Sequence, residues 1–322
     1  MFVCEGNTLR MRMKKIKINF VDFWGDFNPL DNLIINTLSG YYDVVVDDNP
    51  DYLFYSTFGF SHLDYKDCIK IYFTGENDVP DFNFCDYGMG FQHITFEDRY
   101  LRFPLYLFYK GYDRLGKKQV DKSLVNRKFC NFVYSNSLYS TPLREQFFHR
   151  LSEYKKVDSG GRLLNNIGGP VPDKMAFIRD YKFTIAFENS ALSGYTTEKL
   201  MEPMVANSLP IYWGNPNVHS DFNPESIINL QSFHTMDEAV EEIIRLDNDA
   251  EAYLQKLSFP WQTKEQQEKD WMQELVAFLC NIFDQPLEQA VRRTMFGYAV
   301  MKKYKEARFA KLSALPVLRK LK

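Results

Sequence analysis

Cysteine is scarce in this 322-residue chain, and the cysteines show no paired spacing. The cysteines number five, an odd count, and no two of them stand in a CxxC spacing. They are Cys4, Cys68, Cys85, Cys130 and Cys280. Such usage argues against a disulfide framework and favours a reducing compartment. We therefore expect a cytoplasmic protein.

Long hydrophobic runs are also missing. No apolar stretch approaches the roughly 20 residues that a membrane-spanning helix needs. The N-terminal segment, MFVCEGNTLRMRMKK, has no apolar core of the kind a signal peptide carries. We expect residues 1–12 to be an extension that precedes the first regular segment.

Neither sign of charge dominates. The formal net charge is −3, with 25% charged and 45% hydrophobic residues. This balance is typical of a soluble globular protein and excludes a disordered chain or a strong polyanion binder. Aromatic residues, in contrast, are abundant at 16%. They mainly fill cores, but a surplus of Tyr and Phe also suits a cleft that stacks flat ligands or sugar rings.

Strand-like and helix-like segments alternate along the chain, which predicts an α/β fold. The predicted strands cover residues 16–23, 43–46, 52–55, 69–73, 129–134, 183–187, 209–213 and 227–230. The predicted helices cover residues 29–38, 143–154 and 237–246. Because most of these strands are apolar on both faces, we expect them to be parallel and covered by helices.

A basic, polar segment at residues 110–128 is the best candidate for a linker between two α/β halves. We therefore predict an N-terminal domain over residues 13–122 and a C-terminal domain over residues 123–285. A cleft between two such domains is a usual place for a small-molecule site.

The last segment, residues 286–322, differs from the rest and predicts a basic amphipathic helix. From Val291 onward it contains ten Lys or Arg residues and a single acid, Glu306. Such a helix can lie on an anionic membrane surface at the inner face of a membrane, or it can dock its apolar side on the protein. Both interpretations stay open from the sequence.

One stretch, FTIAFENSALSGYTTEKLMEPMVANSLPIYWGNP at residues 183–216, places many polar groups between two apolar strands. The first strand ends at Glu188 and Asn189, and ligands bind at the carboxyl ends of strands in open α/β sheets. Thr196 and Thr197 are suitable N-caps for a helix that would place Lys199 close to its N-terminus. Backbone N–H groups there, together with one ammonium, suit a phosphate. A well-capped surface helix is the competing interpretation.

This stretch resembles the donor-site signature of the α1,3/α1,4-fucosyltransferases, the family that includes the Helicobacter Lewis-antigen enzymes (glycosyltransferase family 10). Three further segments resemble motifs of the same family: YFTGENDVPDFNFCDYGMGF at 72–91, EDRYLRFPLY at 97–106 and SNSLYSTPLREQFF at 135–148. The resemblance extends from about residue 15 to 285. The paired C-terminal cysteines and the membrane anchor of animal members are missing, which favours a bacterial enzyme.

The resemblance implies a GT-B fold, in which two Rossmann-like α/β domains face each other across a cleft. It also implies inverting transfer of L-fucose from GDP-fucose to the GlcNAc of an N-acetyllactosamine-type acceptor. Neither a cofactor nor an essential metal is expected, since basic side chains can neutralise the diphosphate.

The resemblance also implies roles for individual residues. Glu76 is the general base, and Arg144 and Lys199 stabilise the departing GDP. The remaining donor residues that it implies are Asn189, Tyr195, Glu198 on the ribose hydroxyls, Glu188 and Asn136. The residues assigned to the acceptor are Trp24, Asn77 and Arg99.

Three alternatives stay open. Asp47, Asp48 and Asp51 follow an apolar strand, as acids of a metal-dependent GT-A enzyme would, but they form no D-x-D triplet and are typical of a turn. A catalytically inactive glycan- or GDP-sugar-binding protein is the second, and use of another GDP-sugar is the third. The sequence does not decide between α1,3 and α1,4 linkage, and we favour α1,3.

Overall fold

The computed structural model describes residues 13–135, 137, 140–294 and 298–313, which form two compact units. The first unit takes in the described residues up to Gly90, then Ile94–Leu101, then those from Trp271 onward. The second takes in Phe91–His93 and Arg102–Asp270. These bounds differ from the predicted domain ranges, chiefly because the segment after Asp270 belongs with the N-terminal half.

Strands and helices alternate over most of the described chain. The strands β1 to β11 cover Lys15–Val21, Asp43–Val46, Tyr52–Tyr55, Ile69–Phe73, Tyr87–Gly90, Tyr100–Arg102, Lys128–Phe132, Val157–Ser159, Tyr181–Phe187, Leu209–Trp213 and Ile228–Asn229. The helices α1 to α10 cover Leu33–Leu38, Leu143–Ser152, Lys174–Arg179, Glu198–Val205, Met236–Asn248, Ala250–Ser258, Lys264–Glu268, Trp271–Asp284, Leu287–Ala290 and Tyr298–Ser313.

The first unit is built on a six-stranded sheet in the order β2-β1-β3-β4-β5-β6. The pairings from β2 through β5 are all parallel. Every residue of β3 and β4 is buried, as expected for strands that are covered on both faces. The loops that follow β1, β3 and β4 therefore meet at one edge of the sheet.

Helix α8 completes the core of the first unit although it begins at Trp271, far beyond the end of β5 at Gly90. The ring of Phe283 packs 4.4 Å from the Tyr52 ring and 5.6 Å from the Tyr42 ring, measured between centroids. The Tyr42 hydroxyl donates a hydrogen bond of 2.8 Å to Asp284. These contacts explain why α8 groups with the N-terminal sheet rather than with the segment that precedes it.

The second unit contains a five-stranded parallel sheet in the order β11-β10-β9-β7-β8. All seven residues of its central strand β9 are buried. Helix α5 adds four core residues at helical spacing, Ala239, Val240, Ile243 and Leu246. The crossover order places the carboxyl ends of β7, β9 and β10 side by side, where ligands bind in sheets of this kind.

The segment predicted as a linker, residues 110–128, is instead folded into the second unit. It forms two short 3₁₀ helices, and Leu115 and Leu124 are buried in the core of that unit. The Lys118 ammonium lies 3.1 Å from the centroid of the Trp261 ring and donates a hydrogen bond to the Phe259 carbonyl. The linker prediction is wrong because a few widely spaced apolar residues anchor an otherwise polar segment.

Helix α10 docks on the first unit, and one aspartate holds the chain that leads to it. The Asp86 carboxylate accepts hydrogen bonds from the backbone N–H groups of Arg292 and Arg293 at 2.7 and 2.8 Å, and it also pairs with the Arg293 guanidinium. Ala307 of α10 is then buried against Leu63 and Phe84.

No helix within the described residues is long and apolar enough to cross a membrane.

Candidate functional site

Glu188 lies at the carboxyl end of β9 and is fully buried, which is unusual for a carboxylate. Its two oxygens accept hydrogen bonds of 2.8 Å each, one from the backbone N–H of Thr197 and one from the Thr197 hydroxyl. Thr197 is also the N-cap of α4, as predicted. Glu188 therefore fixes the first turn of α4 against the end of β9, which gives this residue a structural hydrogen-bond role.

Lys199 stands in the first turn of α4, and its ammonium lies between two carboxylates. The Nζ atom is 3.0 Å from Oε1 of Glu198 and 3.7 Å from Oε2 of Glu188. The Lys199 side chain is 16% exposed, whereas Glu198 is 46% exposed. The lysine is thus held at the base of a small polar surface with Glu198 at its rim.

The pKa values of the three groups follow from this arrangement. Burial raises the pKa of Glu188 to about 7, although the Lys199 ammonium opposes the shift. Burial also lowers the pKa of Lys199, but the Glu188 and Glu198 carboxylates outweigh it and raise that pKa. Burial raises the pKa of Glu198, and Lys199 more than offsets this and lowers it. Lys199 is accordingly a cation at neutral pH.

Arg144, in α2, is the second cation of this site and is only 2% exposed. Its Nη2 atom donates to the carbonyl of Phe187 at 3.0 Å and to the side chain of Asn189 at 2.8 Å. The guanidinium also lies 4.1 Å from the centroid of the Tyr134 ring. Its buried Nε has no hydrogen-bond partner among the described residues. A buried donor without a partner points to a group that binds there.

Arg144 and Lys199 contact neighbouring residues at the carboxyl end of β9. Arg144 donates to the Phe187 carbonyl and to Asn189. The Lys199 ammonium lies 3.7 Å from the carboxylate of Glu188, which stands between Phe187 and Asn189 in the chain. Asn189, predicted to contact the donor, instead orients the Arg144 guanidinium. The two cations together can neutralise an oxyanion that lies outside the end of β9.

The loop from Ser190 to Thr196 follows a path that only glycine allows at its centre. Gly194 has a φ of +84°, and a Cβ atom there would lie 1.9 Å from the Phe91 carbonyl oxygen. The buried amide of Asn215 holds the loop, because it accepts from the Gly194 N–H at 2.7 Å and donates to the Thr196 hydroxyl at 3.1 Å. Asn215 is not among the predicted site residues, although it stands in the IYWGNP segment at residues 211–216.

Tyr195 follows this glycine and is 5% exposed. Its ring packs against Phe91 with centroids 5.2 Å apart, and Tyr212 donates its hydroxyl proton to the Tyr195 carbonyl at 3.5 Å. Pro203 lies inside α4, which begins at Glu198. The Lys199 carbonyl therefore receives no N–H from residue 203.

A second group of predicted residues lies in the first unit. Glu76 is exposed in the loop after β4, and its backbone N–H donates to the Thr74 hydroxyl at 3.1 Å. Trp24, 39% exposed, follows β1 and packs against Phe23 and Phe27 with centroids 5.6 and 5.3 Å apart. Phe23 reaches Phe73 at the end of β4. The carboxylate and the aromatic group thus share the carboxyl edge of one sheet.

The remaining predicted residues have other positions. Arg99 donates to the backbone carbonyls of Phe82, Cys85 and Asp86 at 2.8–3.0 Å, so it stabilises the loop before β5. Its assignment to the acceptor stays a prediction. Asn77 is exposed beside Glu76. Asn136 lies outside the described residues.

The described part of the chain brings together no group of three His, Cys, Asp or Glu side chains that could hold a metal ion. Independence from metals stays a prediction.

Both halves of the chain match models of known protein families. The family model "Alpha-(1,3)-fucosyltransferase FucT N-terminal domain" matches residues 18–109. The model "Glycosyltransferase family 10 (fucosyltransferase) C-term" matches residues 125–302. Among curated proteins, the chain is 33% identical over 290 residues to "Alpha-(1,3)-fucosyltransferase FucT" of Helicobacter pylori. That match covers 75% of this chain and 59% of the length of the relative.

Two solved structures have the same fold. A crystal structure of an α1,3-fucosyltransferase matches with a TM-score of 0.72 and 28% identity over 88% of this chain and 93% of that one. A structure of an α1,3-fucosyltransferase with GDP-fucose matches with a TM-score of 0.71 and 27% identity over 87% and 94%.

The parallel sheets of the two units and these structural matches define the α/β GT-B fold of a glycosyltransferase. Within that class, the chain belongs to glycosyltransferase family 10, the fucosyltransferases.

Proposed function

We propose that this protein is an inverting α1,3-fucosyltransferase that moves L-fucose from GDP-fucose to the GlcNAc of a Gal-GlcNAc acceptor. One observation carries the proposal: the buried Arg144 and the Lys199 ammonium contact successive residues, Phe187 to Asn189, at the end of β9, in a family named for fucosyl transfer. The matched structure with GDP-fucose supports the choice of donor.

At the anomeric carbon the reaction makes one bond and breaks one, and a proton moves from the acceptor to the enzyme. The acceptor hydroxyl gives its proton to the Glu76 carboxylate as its oxygen attacks the anomeric carbon of fucose. The bond from that carbon to the β-phosphate oxygen breaks, and its electron pair leaves with GDP. Because attack and departure occur on opposite faces, the configuration at the carbon is inverted.

Charge on the leaving diphosphate grows as this bond breaks, so positive groups fixed in advance lower the barrier. Arg144 is fixed by Phe187 and Asn189, and its Nε remains for a phosphate oxygen. Lys199 supplies a second positive charge at the N-terminus of α4, where backbone N–H groups also favour an anion. Glu198 at the rim can accept hydrogen bonds from the ribose hydroxyls. Two cations make a bound metal unnecessary for this step.

The first test is a transfer assay in EDTA with GDP-fucose and either N-acetyllactosamine or its β1,3-linked isomer, with products identified by NMR. We expect a product on the β1,4-linked disaccharide. Product on the isomer alone would replace α1,3 by α1,4 linkage. GDP-fucose binding without product on either acceptor would favour the alternative of an inactive GDP-sugar-binding protein, and loss of activity in EDTA would contradict metal independence.

We further propose that α10 contacts an anionic membrane surface and so places a cytoplasmic enzyme at the inner face of the membrane. Met301, Phe309 and Leu312 are 57%, 71% and 49% exposed, and Lys305 and Arg308 lie among them on the same face of the helix. Ala307, on the opposite side, is the part that docks. A lipopolysaccharide O-chain is the acceptor we favour at such a surface.

Vesicle partition tests this membrane contact. A Met301→Ser/Phe309→Ser/Leu312→Ser variant is expected to partition onto phosphatidylglycerol vesicles at least about tenfold less than the wild type, because burial of apolar side chains drives such binding. Met272→Ser, which alters an exposed methionine on α8, is the control. Equal partition of all three proteins, or no binding by the wild type, would contradict the proposal.

A further inference from the structure

A polar cavity of about 370 Å³ lies in the first unit, and its lining contains none of the predicted site residues. It opens at the carboxyl ends of β3 and β4, since Ser56 follows β3 and Asp78 follows β4. Helix α10 forms another wall with Lys302, Lys303 and Glu306. The volume is at the small end of the range for ligand pockets, which suits a ligand the size of a single ring.

His62 lines this cavity and is held in one protonation state. Its Nδ1 atom lies 2.8 Å from Oδ2 of Asp22, which also accepts the His62 backbone N–H at 2.9 Å. Burial would raise the pKa of Asp22, but the hydrogen bonds from His62 outweigh it and lower that pKa. Burial lowers the pKa of His62 more than Asp22 raises it. The imidazole is therefore neutral, with its proton on Nδ1 toward the carboxylate.

The other ring nitrogen of His62 is thereby left as a hydrogen-bond acceptor. This Nε2 atom is buried and has no partner among the described residues. Ser56, which is 1% exposed and also lines the cavity, has a buried hydroxyl that likewise lacks a partner there. Two such polar atoms at one cavity are costly to leave unpaired. They indicate a ligand that brings hydroxyl groups.

The charges around the cavity favour a neutral ligand. Two lysines and three carboxylates line it, namely Lys302, Lys303, Asp78, Asp81 and Glu306. Both signs are present, and Asp78 already accepts hydrogen bonds from the hydroxyls of Thr57 and Tyr72 at 2.9 and 2.7 Å. The same lining includes the rings of Tyr55, Phe60 and Phe84. Mixed donors and acceptors beside aromatic rings suit a sugar better than an anion.

We propose that this cavity is a subsite for a further sugar unit of the acceptor glycan, bound by the Nε2 of His62 and the hydroxyl of Ser56. The proposal rests on the proposed function, because Glu76 stands two residues before Asp78 in the same loop after β4. A glycan whose reacting sugar reaches Glu76 can extend its next unit toward the cavity.

Helix α10 forms part of this subsite. Asp86 fixes the chain at Arg292 and Arg293, and the Tyr304 hydroxyl donates to the Leu63 carbonyl at 3.1 Å. These contacts hold the Lys303 and Glu306 side chains at the cavity wall. Recognition of a longer acceptor is thus expected to depend on a segment far from Glu76 in the sequence.

Acceptor length tests the proposal. The probes are N-acetyllactosamine and its tetrasaccharide, two such units joined β1,3, each assayed with GDP-fucose for kcat/KM. We expect the wild type to prefer the tetrasaccharide by about tenfold, since a few additional hydrogen bonds are gained. Glu306→Trp, which fills the cavity from an exposed helix position, is expected to remove this preference and leave kcat/KM for the disaccharide within about twofold.

Arg308→Trp is the matched control, because it places the same ring on the same helix at a position that does not line the cavity. It is expected to keep the wild-type preference. A wild type without any preference, or a preference that survives in Glu306→Trp, would overturn the subsite.

A binding measurement separates this proposal from the proposed function. The ¹⁵N resonance of His62 Nε2 is expected to shift when the tetrasaccharide is added to the wild type and to stay unchanged in Glu306→Trp. If no acceptor is fucosylated but this shift occurs, the proposed activity fails and the sugar subsite stands. If transfer occurs but His62 does not respond to the tetrasaccharide, the subsite fails alone.

Discussion

A Glu76→Gln variant is expected to lose fucosyl transfer by about 10²–10⁴-fold while it binds GDP almost as the wild type does. The amide has nearly the shape of the carboxylate but cannot take the proton of the acceptor hydroxyl. Glu76 is exposed, and its backbone is tied to the loop by a hydrogen bond from its N–H to the Thr74 hydroxyl and by one from the Asp78 N–H to its carbonyl. Asp78 is a poor substitute because its carboxylate is engaged by Thr57 and Tyr72.

Single-turnover transfer and calorimetric GDP titration measure the two quantities for Glu76→Gln. Glu288→Gln, the same change at an exposed position of α9 in the same unit, is the control and is expected to behave as the wild type. Near-normal turnover in Glu76→Gln would show that another group accepts the proton. A parallel loss of GDP affinity would show that the change acts through the fold, since donor binding is assigned to the second unit.

The sequence predicted those parts of the fold that depend on local pattern. The bounds of β2, β3, β4 and β10 agree with the predicted strands to the residue. Helix α1 begins at Leu33 instead of Pro29, because the Asn32 side chain accepts from two backbone N–H groups and caps the helix there. The return of α8 to the first sheet could not be predicted, since it depends on the packing of Phe283 against Tyr42 and Tyr52 and on no local signal.

In the site, too, local pattern predicts some features and contacts between distant residues decide the others. Thr197 as N-cap and Lys199 in the first turn follow from local rules, and the structure has both. The burial of Glu188 and the hydrogen bond from Arg144 to Asn189 do not follow from such rules, because both depend on residues that are far apart in the chain or on different elements. Arg99 was assigned by resemblance, and only the structure reveals its three backbone partners. Residue type and position give candidates, whereas the partners of each polar atom give its role.

Removing the charge of Lys199 is expected to have the second large effect. In Lys199→Met, which keeps the length of the side chain, kcat should fall about 10²–10³-fold, as when one donor to a developing oxyanion is removed. Affinity for GDP-fucose should fall as well but by less, because the diphosphate carries more negative charge in the transition state than in the bound donor. Lys128→Met, at a lysine that is 60% exposed, is the control and is expected to change neither quantity.

A loss in Lys199→Met has two possible causes, and a double variant separates them. Without the ammonium, the fully buried Glu188 carboxyl either stays as an unpaired charge or, since burial already raises its pKa to about 7, takes up a proton, and either change can itself distort the first turn of α4. Lys199→Met/Glu188→Gln removes both charges and leaves no stranded carboxylate. If Lys199 acts on the diphosphate, the double variant stays as slow as the single one although its thermal stability recovers. Recovery of kcat together with stability would contradict a direct role, because Lys199 would then serve only to neutralise Glu188.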